Sequence, residues 1–189
     1  RPSLDDPVAT VASEVVGGPV GEHAAPHPWW TPLRVVLAVA ALAMALGMVQ
    51  KTPCVATDWA DSDVRYGAMC YSDVPYLYTG RGFAELAVPF TDTGGRYQVM
   101  EYPVVIGYFA YGAAAVTQAI VGQADLEARR AMPADRVHAA PGVAAESGLY
   151  FQVTAVLLGA VLLVAAWFMV GAQRGRPWDA IPFVASPAL

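Results

Sequence analysis

Three long apolar runs constrain this chain more than any other feature of its sequence. They cover residues 33–49, 103–121 and 149–171, and each is close to the length of about 20 apolar residues that an α-helix needs to cross a bilayer. The third run, with "VTAVLLGAVLLVAAWFMV" at its centre, is the most apolar. We therefore expect an all-α integral membrane protein with three transmembrane helices, or with four if residues 172–189 hold a loop and the start of a further membrane segment.

The composition agrees with this fold class and excludes one class of partner. Only 14% of the residues are charged and the mean hydropathy is +0.42, whereas about a quarter of the residues of a typical soluble domain are charged. Lys and Arg number 11 against 16 Asp and Glu, which gives a formal charge of −5. Because nucleic-acid binding needs a basic surface, we expect membrane lipids rather than nucleic acid as partners.

The first 32 residues differ in composition from the rest of the chain. They are rich in Pro, Gly, Ala and acidic residues and have neither helical nor strand periodicity, which predicts a disordered tail. Trp29 and Trp30 close this segment, at the place where aromatic residues commonly lie at the level of the lipid headgroups.

Basic residues between the apolar runs bear on the orientation in the membrane. The sequence "EARRAMPADR" favours a cytoplasmic position for residues 122–147 by the positive-inside rule, and this places residues 50–102 outside. The basic "QRGRP" at residues 173–177 would then also lie outside. The charges alone therefore leave the orientation open.

The two cysteines of the chain favour one of the two orientations. Cys54 and Cys70 both lie in segment 50–102, and their spacing and number fit neither a CxxC redox motif nor a structural zinc site. A disulfide between them would require an oxidising compartment, while two isolated buried thiols are the alternative. With the disulfide, we expect a multi-pass plasma-membrane protein whose segment 50–102 is extracytoplasmic.

Acidic and aromatic side chains are concentrated in segment 50–102. A connection of this length usually has a function of its own, and a sequence such as "VPYLYTGRGFAEL" can form short amphipathic helices in the membrane interface. We predict a long outer loop with short interfacial helices and a functional site. Its acids are Asp58, Asp61, Asp63, Asp73, Glu85, Asp92 and Glu101, and its aromatic residues are Trp59, Tyr66, Tyr71, Tyr76, Tyr78, Phe83, Phe90, Tyr97 and Tyr102.

Two motifs in this order resemble those of a known enzyme family. "CYSDVPYLYTGRG", after the first run, and "YQVMEYPVVIGYF", which opens the second, resemble actinobacterial members of glycosyltransferase family 87. These are polytopic GT-C enzymes, mycobacterial mannosyltransferases among them, which take sugars from polyprenyl phosphate. The resemblance covers residues 33–189 and the N-terminal portion of such an enzyme, so we expect the chain to be a piece of a longer protein.

The resemblance implies roles for particular residues. In the family, an acid of the first outer loop followed closely by an aromatic residue acts as the base, and Asp73 with Tyr76 and Tyr78 fits this pattern. The family's Tyr-Pro-Pro signature is matched only in part, because Tyr102 and its proline are followed by valine. Glu101, which precedes Tyr102, is a second candidate catalytic or positioning residue.

The chemistry of sugar transfer explains these residue types. A base must remove the proton of the acceptor hydroxyl as the new bond forms, and a carboxylate near the lipid interface has a raised pKa because of desolvation. The phosphate leaving group needs positive charge, which Arg81 or Arg96 supplies. Tyr76, Tyr78 and Tyr102 are candidates to stack on the sugar or bond its hydroxyls. The donor is a lipid-linked substrate; no cofactor is expected, and metal dependence is left open.

Each assignment has a structural alternative. Asp73 is either the base or the cap of a helix, since Asp before an apolar run is a common helix start. Arg81 is either the phosphate ligand or a side chain that extends to lipid headgroups. Asp58, Asp61 and Asp63 alternate like cation ligands but lack the Gly and distal Glu of a calcium loop; we expect a solvated acidic surface and no metal site.

Two other classes of function are compatible with a membrane protein of this kind. The first is a non-catalytic subunit or truncated paralogue whose outer loop binds a glycan or a partner, either another membrane protein or a second copy. The second is a small transporter, but the predicted spans contain no ionisable residue except Arg34 at an edge, and coupled transport generally needs such residues. We rank glycosyl transfer first and transport last.

Overall fold

A computed structural model describes residues 29–92, 94–122, 125–172 and 177–185. This part of the chain is all-helical and contains no strand. Most of the predicted disordered tail lies outside the described residues. The helices are α1 (Pro32–Ala56), α2 (Ser62–Gly67), α3 (Val74–Gly80), α4 (Val104–Val121), α5 (Leu126–Ala131), α6 (Val143–Ala172) and α7 (Ile181–Val184), with 3₁₀ turns at Phe83–Glu85, Ala134–Ala139 and Pro177–Ala180.

Three of these helices, α1, α4 and α6, are long and apolar enough to cross a membrane. The expected all-α membrane architecture is confirmed at this level. The predicted spans were shorter than two of the helices: α1 continues past residue 49 to Ala56, and α6 begins at Val143 rather than at residue 149. Both extensions carry residues that the sequence assigned to loops.

The start of α1 follows from its first residues. Pro32 occupies the first helical turn, where its missing N–H costs nothing. Thr31 caps the turn, because its Oγ1 accepts a hydrogen bond from the backbone N–H of Arg34 at 3.3 Å. The Arg34 side chain folds back and donates to the carbonyl oxygen of Trp29 at 3.0 Å, which keeps its charge at the edge of the apolar helix.

The chain divides into two compact units. The described residues of the first are 29–48, 159–172 and 177–185, and in it the N-terminal part of α1 packs against the C-terminal part of α6. Gly159 permits close contact between the two helices, since a Cβ there would overlap the Met44 side chain. Its buried core consists of Val36, Ala40, Leu162, Ala166, Ala180 and Val184.

Residues 177–185 complete the core of this first unit with Ala180 and Val184. They form a 3₁₀ turn and a single turn of helix. The start of a further membrane segment within residues 172–189 stays a prediction.

The second unit comprises residues 49–158 and contains the predicted functional segment. One face of α4 lies at its centre, formed by Gly107, Ala110, Ala113, Ala114, Thr117 and Gln118. Phe90 lies against this helix, and a Cβ at Gly107 would come within 2.7 Å of its ring. The rest of the core comes from the segments before and after α4, and includes Tyr78, Phe83, Ala84, Val137, Val143 and Tyr150.

The segments on either side of α4 contact each other directly. Arg129, in α5, donates to the carbonyl oxygen of Ala84 at 3.1 Å, and Arg96 donates to that of Met132 at 2.8 Å. These hydrogen bonds join segments 50–102 and 122–147 within the second unit. The side of a membrane that each segment faces stays a prediction.

Candidate functional site

A disulfide bond closes the segment that leads into the candidate site. Cys54, in the last turns of α1, and Cys70 are joined with an S–S distance of 2.04 Å and a Cα–Cα distance of 5.8 Å. Both residues are fully buried. The bond ties α1 to the residues immediately before Tyr71 and Asp73, so it limits where that part of the site can lie.

Asp73 is the residue that precedes α3, but its side chain does not cap the helix. The Ser72 Oγ accepts instead from the backbone N–H of Val74 at 3.3 Å. The Asp73 carboxylate is exposed and accepts instead from the hydroxyls of two tyrosines, Tyr71 and Tyr102, the latter at 3.2 Å. We call these three residues the Asp73 cluster. Of the two sequence alternatives for Asp73, the cap is not observed.

Aromatic rings extend the Asp73 cluster along the surface. The Tyr71 ring stacks between those of Tyr66 and Tyr76, with centroid distances of 5.9 and 6.0 Å. The Arg65 guanidinium lies 5.6 Å from the Tyr76 ring centroid and donates to the hydroxyl of Tyr76. That hydroxyl in turn donates to the carbonyl oxygen of Trp59 at 3.1 Å. The stack therefore offers exposed ring surface beside a carboxylate.

The tyrosines around Asp73 are held in their neutral form. The hydrogen bond to Asp73, with a smaller contribution from burial, raises the pKa of Tyr71 from 10.0 to about 12. Burial, and then the hydrogen bond to Asp73, raises the pKa of Tyr102, while the positive charge of Arg81 opposes this rise. Both phenols therefore donate to the carboxylate at neutral pH.

Arg81 and Glu101 have different surroundings. Arg81 is partly buried and donates through Nη1 to the side-chain oxygen of Gln98, while its Nε is buried and has no acceptor among the described residues. It thus retains donors that are not used within this part of the protein. Glu101 is exposed, and no hydrogen bond joins its side chain to any residue of the described ranges.

Tyr78 lies inside the protein and not at the site. It is fully buried, and its hydroxyl donates to Glu146 at 2.9 Å and accepts from Gln118. Arg129 completes this group with two hydrogen bonds to Glu146, of 2.6 and 2.7 Å. We call Tyr78, Gln118, Arg129 and Glu146 the buried polar cluster. The expectation that Tyr78 contacts substrate fails because its ring and hydroxyl are enclosed.

Arg96 is likewise occupied by protein groups. Its guanidinium forms an ion pair with Glu85 at 3.1 Å and also donates to the carbonyl oxygens of Arg129 and Met132. The hydrogen bond to Glu85 raises the pKa of the Arg96 guanidinium. Arg96 therefore holds two chain segments together, and the role of phosphate ligand expected from the sequence is left to Arg81.

Several contacts of the site were not recognised from the sequence. The pairing of Tyr71 with Asp73 joins residues two positions apart, and this spacing was available in "CYSDVPY". The contact of Arg81 with Gln98 and the buried polar cluster join distant segments, for which no local signal exists.

The acids of "DWADSD" include a helix cap. Asp61 caps α2, because its carboxylate accepts from the backbone N–H of Asp63 at 2.8 Å. The described residues contain no group of three or more possible metal ligands.

Comparisons with known proteins gave no match. No family model matches this chain, and no curated protein and no solved structure is significantly similar to it.

Proposed function

We propose that this chain is an integral-membrane glycosyltransferase, or the N-terminal portion of one. It transfers a sugar of the mannose type from a polyprenyl-phosphate donor to a lipid or glycan acceptor of the cell envelope. The single structural observation that supports the proposal is the Asp73 cluster, an exposed carboxylate bonded to two tyrosine hydroxyls and to no backbone amide of the described residues. The resemblance to glycosyltransferase family 87 supplies the reaction class.

The geometry suits a base that acts on a hydroxyl group. Asp73 already accepts from hydroxyl donors, and an acceptor hydroxyl would replace or join one of them. In the step, the acceptor oxygen bonds to the anomeric carbon and its proton passes to Asp73. The bond from that carbon to the phosphate oxygen breaks, and the polyprenyl phosphate leaves with the electron pair.

Arg81 and the tyrosine stack supply the other parts of such a site. The positive charge of Arg81 opposes the rise in the pKa of Tyr102, and the guanidinium donors that Gln98 does not use fit a phosphate group. The exposed rings of Tyr71 and Tyr76 offer surfaces on which a sugar ring can stack. Glu101, one residue before Tyr102, remains a candidate for positioning the acceptor.

Replacement of Asp73 tests this proposal. In membranes supplied with radiolabelled polyprenyl-phosphate mannose, Asp73→Asn should reduce transfer to lipid or glycan acceptors by about 10²–10⁴-fold, the usual contribution of a general base. Asp63→Asn is the matched control, because Asp63 is an exposed acid of the same segment that lies outside the Asp73 cluster. Transfer by Asp73→Asn at the rate of the control would exclude Asp73 as the base.

The second candidate function is a non-catalytic membrane subunit that binds a glycan, and the exposed tyrosine stack favours it. Stacking alone suffices for binding, so Tyr76→Ala would weaken glycan binding while Asp73→Asn would leave it unchanged. If wild-type protein binds the polyprenyl-phosphate sugar and never transfers it, alone or with its native membrane partners, this second function replaces the first.

A further inference from the structure

The exposed face of α4 is apolar and carries no charge. Its buried face packs into the second unit, and the opposite face exposes, at helical spacing, Val105, Tyr108, Gly112, Val116, Ala119 and Ile120. Val105 is 80% exposed and Ile120 is 60% exposed. An uninterrupted apolar face of this kind on a water-soluble surface would be an aggregation hazard, so it indicates contact with an apolar medium or partner.

Both ends of α4 lead into segments that are bonded to each other. The Arg129–Glu146 pair, with both side chains buried, connects α5 with the start of α6, and Arg129 also reaches the carbonyl oxygen of Ala84 in the segment before α4. Arg130 reaches the neighbouring carbonyl oxygen of Glu85 at 2.9 Å. These bonds place the segments before and after α4 on one side of any bilayer.

The first unit gives an independent indication of the same kind. Met44 of α1 contacts Gly159 of α6, while earlier residues of α1 share an apolar groove with later residues of α6. The groove is lined by Leu37, Ala38, Ala41, Leu163, Val164 and Trp167. Residue numbers thus rise along α1 as they fall along α6, so the two helices are antiparallel.

Two antiparallel spans return the chain to the side from which it left. If α1 crosses outward, α6 crosses inward, and the chain between them begins and ends on the same side. A single crossing by α4 would make α1 and α6 parallel, which the first unit contradicts. Three consecutive spans, as the hydropathy of the sequence suggests, are therefore not the arrangement that this packing allows.

We infer that α4 does not cross the bilayer. It lies in the membrane surface on the side of the Asp73 cluster, with its exposed face against the hydrocarbon of that leaflet. The occupant of this face is lipid, because α1 and α6 anchor the chain in the membrane before and after α4 and the face contains no charged group. This inference is independent of the proposed transfer reaction.

Thiol labelling tests the sidedness. The native cysteines are joined to each other, so a single introduced cysteine is the only free thiol. Val99→Cys and Asp135→Cys place it at exposed positions before and after α4, outside the Asp73 cluster and the buried polar cluster. A membrane-impermeant maleimide should label both variants to the same extent in intact cells. Ser13→Cys, which precedes α1, should show the opposite accessibility.

The outcomes separate the two arrangements. If Val99→Cys and Asp135→Cys react from opposite sides of the membrane, α4 crosses and the inference is overturned. The Ser13→Cys control shows that the reagent distinguishes the sides, because a single span, α1, separates it from Val99. Neither result depends on activity, so a failure here is distinguishable from a failure of the proposed function.

A second measurement tests lipid as the occupant. In the full chain reconstituted into vesicles, a fluorophore on Val116→Cys should be quenched by lipids with brominated acyl chains, and one on Val99→Cys should not. Equal, weak quenching at both positions would overturn the assignment to lipid. Disulfide-linked dimers of Val116→Cys under mild oxidation would also overturn it, and would identify a second copy as the partner of this face.

Discussion

Asp73 and Glu146 are two carboxylates of the second unit that accept from tyrosine hydroxyls, and they differ in almost every other respect. Glu146 is buried and accepts from Tyr78, Gln118 and Arg129. Asp73 is exposed and accepts only from the hydroxyls of Tyr71 and Tyr102 among the described residues. One carboxylate is neutralised by an arginine in two hydrogen bonds, whereas the other has no ion pair in the described part of the chain.

The comparison shows that burial decides whether a carboxylate is used within the fold or is accessible to a substrate. A buried carboxylate must have its charge and its lone pairs satisfied by the protein, because water cannot do so. An exposed carboxylate can leave acceptor positions to solvent, and a substrate hydroxyl can take them. The buried polar cluster therefore stabilises the fold around α3, and the Asp73 cluster is the part that is open to chemistry.

The largest expected effect comes from breaking the buried pair. Glu146→Gln leaves the charge of Arg129 buried without its partner, which typically costs about 3–5 kcal/mol. We expect a large fall in the thermal stability of the purified protein in detergent. Glu127→Gln, at an exposed position of α5, is the control and should change the free energy of unfolding by less than about 0.5 kcal/mol.

A double variant sharpens this test. Arg129→Met combined with Glu146→Leu removes both charges and should recover much of the stability, since apolar replacements of buried pairs are often tolerated. Asp73→Asn removes the charge of an exposed carboxylate and should destabilise the protein much less than Glu146→Gln does. If the two variants were equally stable, burial would not distinguish the two carboxylates.

The next effect in size is that of the disulfide. Its cysteines are 16 residues apart in sequence, and a closed loop of about 15 residues contributes roughly 3 kcal/mol in the chain-entropy model. Exchange of both cysteines for alanine should lower the free energy of unfolding by about this amount and loosen the Asp73 cluster, which follows Cys70 directly. In the variant without the disulfide, backbone amides of α3 should exchange hydrogen faster than in wild-type protein, and by more than amides near Arg129 do. Equal increases in the two regions would contradict this.

The smallest effect concerns the titration of the tyrosines. The hydrogen bond to Asp73 favours neutral Tyr71, so it contributes to stability below pH 10 and is lost as the pH rises through about 12. Asp73→Asn should return the pKa of Tyr71 towards 10.0. The pKa of Tyr78 is raised mainly by burial, so it should stay unchanged in this variant. The shift is measured by titrating the phenolate absorbance of Asp73→Asn and of Asp63→Asn with pH. Identical titration curves would show that Asp73 does not bond to Tyr71.

Helix periodicity explains what the sequence predicts about α3 and what it does not. Tyr76 and Tyr78 stand two residues apart, and such residues do not share a helix face. One is exposed and the other fully buried. The sequence predicts a short helix in this stretch, and one is present over Val74–Gly80. Which face of that helix is covered depends on distant residues such as Gln118 and Glu146, so the sequence leaves both tyrosines as candidates. Asp73, Tyr76 and Tyr102, by contrast, are exposed or half-buried around one surface.

The apolar runs predict the long helices well, but not their connections. Apolar length is a local property, and α1, α4 and α6 follow from it. The predicted cytoplasmic position of segment 122–147 treats the basic residues of "EARRAMPADR" as solvated charges. Arg129 is instead buried against Glu146, and Arg130 donates to the carbonyl oxygen of Glu85. A positive charge that the fold uses internally carries little information about membrane orientation.

The bond between Cys54 and Cys70 also bears on the biogenesis of the protein. It joins the end of α1 to the residue before Tyr71. If segment 50–102 is extracytoplasmic, as the sequence predicts, the bond can form only after that part of the chain has emerged on the far side of the membrane. Oxidation by the export machinery then becomes a maturation step, after which Asp73 and its tyrosines take their final positions. We expect a host deficient in thiol oxidation to insert the polypeptide normally and to accumulate it with its acidic site unassembled.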